Sequence, residues 1–378
     1  MSNRQIKLPM VDDHQQASCC DAKPGSLDFD DIKQANWIID QVKTKVGPVY
    51  RVATTLDKKD WIGTVKTRCS FGRMNYRIPP AIYAIGSPDQ SSPVLVSANY
   101  KLSFDYLRQE LSGLNLWILV IDTDGINVWC AAGKGTFGTG EIVRMVSETD
   151  LSKLVNHRTL ILPQLAAPGV SAHEVRKISG FKVVYGPVRA ADLPAFLQAG
   201  NKAEPGMRRT SFKLNERLVL APVELVGMSV PIAIIFIALF MLNLTASLVR
   251  GQSLSAAALL GQAFSDLFPF LGAILIGIVM VPALLPYIPG RPLAWKGWFL
   301  GLIWAVFYSV LFYTTPNWLP GAAYLLILPA ITAFLGVNFT GSTTYTSLSG
   351  VLKEMNIALP LIIVSTGIGI IAYIATYF

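Results

Sequence analysis

After Arg217 the chain carries only seven charged residues: Glu224, Arg250, Asp266, Arg291, Lys296, Lys353 and Glu354. Between them lie apolar runs long enough to cross a hydrocarbon core of about 30 Å. Backbone groups find no water there, so such runs must be helical. Five spans are predicted near 222–246, 264–287, 295–315, 318–337 and 357–377. An odd number places the two ends of this region on opposite faces. The loops on one side then hold Lys202 to Arg217, Arg291, Lys296 and Lys353, and the other side holds only Arg250. Cationic loops stay in the cytoplasm, so the charged first half is expected inside. Segment 251–263 (GQSLSAAALLGQA) reads as an interfacial helix outside the spans. Asp266 then falls at the edge of the second span, as an interfacial cap or as part of an ion path. One or two edge acids supply no proton relay, which argues against transport.

This apolar half explains why hydrophobic residues reach 52% of 378 and mean hydropathy reaches +0.44, both high for a water-soluble chain. The formal charge of +8 raises a nucleic-acid reading, but no basic–aromatic binding motif is present. Lys202, Arg208, Arg209, Lys213 and Arg217 sit just ahead of the first span, where lipid headgroups attract them. Membrane lipid is therefore an expected partner and nucleic acid is not. Four cysteines without paired spacing make no disulfide framework. The opening MSNRQIKLPM lacks the apolar core of a signal peptide. The expected location is the cytoplasmic membrane, multi-pass, with the N-terminus inside.

The charged half alternates between two periods. VYRVATTL (49–56), AIYAIG (81–86), VLVSANY (94–100), LNLWILVID (114–122), TLILPQL (159–165) and FKVVYGP (181–187) read as strands. LSFDYLRQELSG (102–113), GTGEIVRMVSE (138–148), SAHEVRKIS (171–179) and AADLPAFLQA (190–199) read as helices. This pattern predicts a Rossmann-like α/β domain with a largely parallel sheet and right-handed crossovers. The expected organisation is a tail and leading helix (1–44), the α/β domain (45–200), a basic linker (201–221) and an all-α membrane domain of five transmembrane helices (222–378). Ligands of such sheets sit beyond the carboxyl ends of the strands. Four segments fall on that edge: Asn99–Tyr100, NVWCAAGKGTFGTG (127–140), Pro163–Gln164–Leu165 running on to Gly169, and Tyr185–Gly186–Pro187.

GKGTFG (133–138) fits G-x-G-x-x-G in letters only. A dinucleotide site needs the glycines directly after the strand, and here about ten residues separate Asp122 from Gly133. A phosphate-binding P-loop fails too, because Val128 and Gly135 stand where a glycine and a hydroxyl residue are required. Neither G-x-S-x-G nor H-E-x-x-H occurs. The stretch instead reads as a short helix capped by Asn127. Cys130 lies in its first turn, where backbone amides favour a thiolate, and Lys134 adds a cation at i+4. Ala131, Ala132 and Gly133 remove bulk near the sulfur. Either a broad flat ligand approaches this helix, or Cys130 is a small buried core residue.

NVWCAAGKGTFGT (127–139) resembles the cap-helix signature of the HgcA family, the membrane corrinoid proteins of microbial mercury methylation. The likeness continues through SPVLVSANYKLSFDYLR (92–108), LILPQLAAPGVSAHEVRKISGFKVVYGPVRA (160–190) and the trailing five spans, roughly residues 45–378. The soluble domain of that family is similar to the corrinoid domain of the corrinoid iron–sulfur protein of the acetyl-CoA pathway. The resemblance implies a base-off, cobalamin-type corrinoid and methyl transfer from methyl–cobalt(III) to Hg(II), giving methylmercury. It makes 127–135 the cap helix and Cys130 the lower axial cobalt ligand. Asn127, Val128, Trp129, Ala131, Ala132, Gly133, Lys134, Gly135 and Thr136 carry over as the surrounding cap. Two partners are implied as well. One is a ferredoxin-like protein with two iron–sulfur clusters, which would return the cobalt to its reduced state. The other is a methyl-donating enzyme of one-carbon metabolism.

Elementary chemistry agrees with that assignment. Hg(II) is an electrophile and needs a methyl group that arrives with its electron pair, the polarity opposite to that of a sulfonium donor. A methyl–cobalt(III) bond can break either way, and a thiolate trans to the methyl donates electrons to cobalt. Many corrinoid enzymes supply a histidine from D-x-H-x-x-G. Here only Asp12-x-His14 begins that pattern, position 17 is Ala, and His157 and His173 lack the aspartate. Asn99, Tyr100 and the loops at 163–169 and 185–187 are expected around the ring or its tail. Cys19 and Cys20 form a vicinal pair that either captures Hg(II) or is incidental to the tail. Cys69 reads as structural, and Glu141 and Glu174 as solvated helix faces. Trp129 either stacks under the corrin or fills core. Two other functions stay open: a membrane-anchored corrinoid methyl carrier with another acceptor, and a transporter or sensor with a cofactor-binding regulatory domain.

Overall fold

A computed structural model describes residues 35–252, 255–312, 318–339 and 348–378. The chain divides into two compact units, one taking in the chain up to Thr64 and Gly72–Arg209, the other Val65–Phe71 and Thr210–Phe378. The first is a mixed α/β unit. Its elements run β1 (Ile38–Thr44), β2 (Gly47–Val52), α1 (Lys58–Arg68, whose residues from Val65 on group with the second unit), β3 (Ala81–Ile85), β4 (Val94–Ala98), α2 (Lys101–Glu110) and β5 (Leu116–Ile121). There follow α3 (Val128–Lys134), α4 (Thr139–Glu148), α5 (Leu151–Leu154), β6 (Thr159–Leu162), α6 (Ala172–Ser179), β7 (Lys182–Tyr185) and α7 (Leu193–Gln198).

No residue of β4 or β5 is exposed. Unbroken apolar runs such as VLVSA and LWILVI suit strands covered on both faces. Alternate side chains enter two cores. Val94, Val96, Leu119 and Ile121 pack with Ala131, Ile142, Met145 and Val175. Leu95, Ile118 and Val120 pack with Phe104, Leu111, Leu193 and Phe196 on the other face.

The strand order is β1-β2-β3-β5-β4-β6-β7. Strands β5, β4, β6 and β7 run parallel, whereas β3 is antiparallel to β5 and β1 to β2. Strands β2 and β3 are also parallel, so the sheet is largely parallel as expected, with antiparallel joins only at β1–β2 and β3–β5. A parallel return needs a dozen or more residues, and only the turn Gly86–Pro93 joins β3 to β4. Gly86 opens that turn at φ 65°, where an added Cβ would strike Asn115 and Leu114. A correction concerns residues 38–44, expected within a tail and leading helix. They form edge strand β1, whose residues are almost all at least partly exposed, so it carries no clear two-residue alternation. Residues 1–34, with Cys19 and Cys20, lie outside the described residues.

A buried ion network fastens α1 to α2. Lys101 Nζ donates to Asp60 Oδ1 at 2.8 Å and to Asp105 Oδ1 at 2.6 Å. Arg108 donates to Asp60 Oδ2 at 2.6 Å and to Asp105 Oδ1 at 2.8 Å. Its remaining nitrogen reaches the Ala53 and Thr55 carbonyls. Each charge thus has an opposite partner and further hydrogen bonds, the condition under which buried ions are tolerated.

Among the described residues the second unit holds five helices long and apolar enough to cross a membrane: Ser229–Val249, Ala256–Leu284, Leu293–Phe312, Leu319–Asn338 and Gly350–Ala375. The second starts earlier than expected, capped by Ser255, whose hydroxyl accepts from Ala258 N at 3.2 Å. Residues 256–263 thus continue without a break into the rest of this helix. Asp266 consequently sits well inside the helix rather than at its edge. Its Oδ2 accepts from Asn243 at 2.8 Å and from Tyr377 at 2.7 Å, joining three spans. Arg217, expected among lipid headgroups, is buried and donates to the Pro282 and Ala283 carbonyls at 3.0 and 2.9 Å. Lys296 donates to Leu285 O at 2.6 Å. These cations occupy carbonyls orphaned where the second span ends.

Burial pushes the Asp60 carboxyl up, but the Lys101 hydrogen bond and the charges of Lys101 and Arg108 outweigh it and hold the pKa at about 2. A carboxyl held low in the folded state stabilises the fold above its ordinary pKa. That contribution fades as pH falls through the folded value. Asp60→Asn is therefore expected to lose about 3–5 kcal/mol at pH 7 and to flatten the acid side of the stability curve between roughly pH 4 and pH 2. Urea unfolding of the full chain in detergent, followed by tryptophan fluorescence across that range, checks both.

Candidate functional site

The carboxyl ends of β4, β5, β6 and β7 share one edge because the four strands are parallel. At β4 the strand order turns back on itself: the chain leaves β4 for β5 on one side, then crosses from β5 to β6 on the other. Loops part at such a reversal and leave a crevice. A cavity of about 410 Å³ lies there. Leu95, Val96 and Ser97 of β4 and Ile161 and Leu162 of β6 form its floor. Ser103, Tyr106 and Leu107 of α2 make one wall, Asn127, Val128 and Trp129 another, and Pro163, Leu165, Pro187 and Arg189 line the rest.

Asn99 holds the β5–α3 loop against this edge. Its Oδ1 accepts from Thr123 N at 3.1 Å, Thr123 Oγ1 at 2.9 Å and Gly125 N at 3.0 Å. Its Nδ2 donates to Asp122 Oδ1 at 2.9 Å. Asn99 is buried and its amide is committed internally, so it positions the site and does not line it. Glu141 also acts on this loop, accepting from Asp122 N at 2.9 Å. That corrects its reading as a purely solvated side chain.

The loop delivers α3. Asn127 caps it in extended conformation and accepts from Cys130 N at 3.0 Å. Gly135 ends it at φ 83°. Ala131 and Ala132 point into the core, while Trp129, Cys130, Gly133 and Lys134 face out. The small residues therefore divide in two. The alanines let α3 sit tightly on the sheet, and only Gly133 thins the outer face, where an added Cβ would meet nothing within 4 Å. Gly169 presses the β6–α6 loop onto α3, and a Cβ there would meet Ala132 Cα at 2.9 Å and Phe137 O at 2.5 Å. The exposed position of Cys130 removes the reading as a buried core cysteine.

The other expected residues separate into lining and support. Asn127, Val128, Trp129, Pro163, Leu165 and Pro187 line the cavity. Tyr100 is buried at the start of α2, in a bridge with Arg77, and lies off the cavity. Gln164 accepts from Arg208 at 2.6 Å. Thr136 donates to Ala131 O at 3.5 Å. Tyr185 donates to Val170 O at 2.8 Å, tying β7 to the loop that contains Gly169. Gly186 N donates to Leu162 O at 2.8 Å. Cys130 stands beside the cavity without lining it. Sequence reading missed Ser97, Ser103, Tyr106, Leu107 and Arg189. The spacing of 103, 106 and 107 marks one face of the helix that follows the reversal strand, which is the signal that could have found them. His157 is taken up structurally, with Nε2 2.9 Å from Ser92 O. Among the described residues no group of three His, Cys, Asp or Glu side chains forms a metal site.

Known proteins resemble this unit. Residues 67–197 match the family described as CO dehydrogenase/acetyl-CoA synthase delta subunit. Acetyl-CoA decarbonylase/synthase complex subunit gamma of Methanopyrus kandleri is 37% identical over 124 residues, 32% of this chain and 26% of the relative. The like-named subunit of Archaeoglobus fulgidus is 27% identical over 180 residues, 46% of this chain and 38% of the relative. The corrinoid/iron-sulfur protein large subunit of Moorella thermoacetica is 28% identical over 125 residues, 32% of this chain and 28% of the relative. The α/β unit is thus corrinoid-protein-like in sequence. The chain spans between 26% and 38% of the length of these three relatives.

Asn99→Ala would leave buried amides at Thr123 and Gly125 without their acceptor, at about 1–3 kcal/mol for each group. Hydrogen exchange of those two amides is expected to speed up by about tenfold or more, with smaller effects in β7, and mass spectrometry of the full chain in detergent reads it.

Proposed function

We propose that this chain is a membrane-bound corrinoid protein that transfers a methyl group to Hg(II), with Cys130 as the residue whose thiolate would hold the cobalt. The observation that carries the proposal is the outward Cys130 at the carboxyl edge of a corrinoid-protein-like unit, beside an open Gly133 and an apolar cavity. The residues fit a broad flat group. Gly133 leaves its side of α3 bare, Trp129 and Lys134 flank the sulfur, and the cavity has room for part of a ring or tail. When bound, the corrinoid supplies a methyl–cobalt bond whose carbon can depart with its electron pair.

The chain's own residues do the rest. Asn127 fixes the turn that presents Cys130, and Ala131 and Ala132 keep that turn from lifting off the sheet. A soft sulfur donor presented in this way would hold a soft metal centre. Val128, Leu165, Pro163 and Pro187 keep water from the cavity. Cys19 and Cys20 are assigned to capture of Hg(II) ahead of transfer. Electrons come from a ferredoxin-like partner with two iron–sulfur clusters, and the methyl group from an enzyme of one-carbon metabolism. Lys202, Arg208, Arg209 and Lys213 favour a cytoplasmic side for the α/β unit.

A second reading is favoured by the names of the matched relatives. In it the same corrinoid site carries methyl groups to a different acceptor, in chemistry of the acetyl-CoA decarbonylase/synthase kind. Deleting the protein in its host separates the two readings: loss of methylmercury formation with normal one-carbon growth supports the first, and the reverse supports the second.

Cys130→Ala is expected to change the absorption spectrum of the bound corrin and to lower methylmercury formation at least about a hundredfold, the scale of losing a preorganised electronic contact. Cys130→His should bind corrin with a different spectrum and intermediate activity. An unaltered spectrum with full activity in Cys130→Ala would remove the ligand assignment. Methylation at low Hg(II) by Cys19→Ser with Cys20→Ser tests capture, and unchanged output would remove that step.

A further inference from the structure

Helix α1 is turned inside out. Its inward stripe is polar: Asp60, Thr64 and Thr67 are 3%, 7% and 1% exposed. Its outward stripe is apolar: Trp61, Ile62 and Val65 are 56%, 55% and 58% exposed. A helix packed on a water-soluble core shows the opposite arrangement. The inversion has a cause on the inner side. Asp60 must face Lys101 and Arg108 to complete the buried ion network, and Gly63 gives room to the Tyr76 ring packed there. With the polar face inward, the apolar residues have only the outside left. Phe71, just beyond the helix, extends the patch and is 65% exposed.

The charges around the patch identify what covers it. Lys58, Lys59 and Lys66 are exposed beside Trp61 and Ile62. The acid at the start of the helix, Asp57, is engaged in capping, accepting from Asp60 N at 2.8 Å. An apolar face with an indole and a rim of lysines is the composition of a helix lying in the interfacial layer of an anionic bilayer. Tryptophan settles at headgroup depth, and lysine stems lie along apolar surface while their ammonium groups reach phosphate. The five membrane-crossing helices of the same chain keep a bilayer always within reach.

We infer that the outer face of α1, with Phe71, docks on the anionic lipid surface as a second, peripheral membrane contact of this protein. It restrains the α/β unit at the membrane independently of the basic segment 202–217 and of any bound cofactor.

The full chain is placed in lipid nanodiscs of phosphatidylcholine, with or without phosphatidylglycerol, whose acyl chains are brominated near the headgroup. The fluorescence of Trp61 is taken as the difference between wild type and Trp61→Phe, which cancels the other tryptophans. Bromolipid should quench this component, and anionic lipid should strengthen the quenching about twofold. Lys58→Glu with Lys59→Glu and Lys66→Glu should abolish that gain. Circular dichroism and unfolding midpoints of the variants keep loss of fold distinguishable from loss of docking. A Trp61 component quenched by aqueous iodide and untouched by bromolipid would overturn the inference. One shielded from both would also overturn it, because a protein would then cover the face.

Discussion

A single buried carboxamide holds the candidate site in register. Asn99 ends β4, and its oxygen gathers the amides of Thr123 and Gly125 and the Thr123 hydroxyl from the end of β5. That contact joins two neighbouring parallel strands at their carboxyl edge and fixes where the loop to α3 begins. The position of Asn127 follows from it, and the direction of Cys130 follows from Asn127. Four hydrogen bonds at one side chain can do this because the group is dry, where leaving any of them unmade is costly. The alanines and Gly169 then seat α3 against the sheet, so a short helix with little intrinsic stability is held by packing.

Much of this was legible in the residues. Unbroken apolar runs marked β4 and β5, and asparagine before VWCAAGK marked a helix start that the structure reproduces. Three of the four edge segments contribute to the crevice, through Asn127 to Trp129, Pro163 with Leu165, and Pro187, whereas Asn99 and Tyr100 support it from behind. What failed to show had physical reasons. Edge strand β1 has no buried face to impose alternation. The direction of β3 depends on a short turn, which strand patterns do not encode. Asn99 looked like a ligand contact because polar residues at strand ends often are, yet its partners come from a loop distant in sequence. Helix α1 escaped notice because its apolar residues face outward and its polar stripe answers to Lys101 and Arg108, residues some forty positions away.

The membrane unit carries a similar lesson about charge. Counting cations near spans assigned them to lipid and to topology. Arg217 and Lys296 instead turn inward and bond carbonyls at the end of the second span, at 2.6 to 3.0 Å. Asp266 likewise ties three helices through Asn243 and Tyr377. Few charges remain in this half of the chain, and those that are described in contact with helix ends or neighbouring spans serve packing. On our inference, the outer face of α1 adds a peripheral membrane contact.

The central proposal is that the sulfur of Cys130 would hold the cobalt of a bound corrinoid. Cobalt-edge X-ray absorption on the full chain loaded with corrinoid reads the atoms around the metal directly. The account predicts a sulfur neighbour in the wild type that disappears in Cys130→Ala. A wild-type shell made only of nitrogen and oxygen would contradict it.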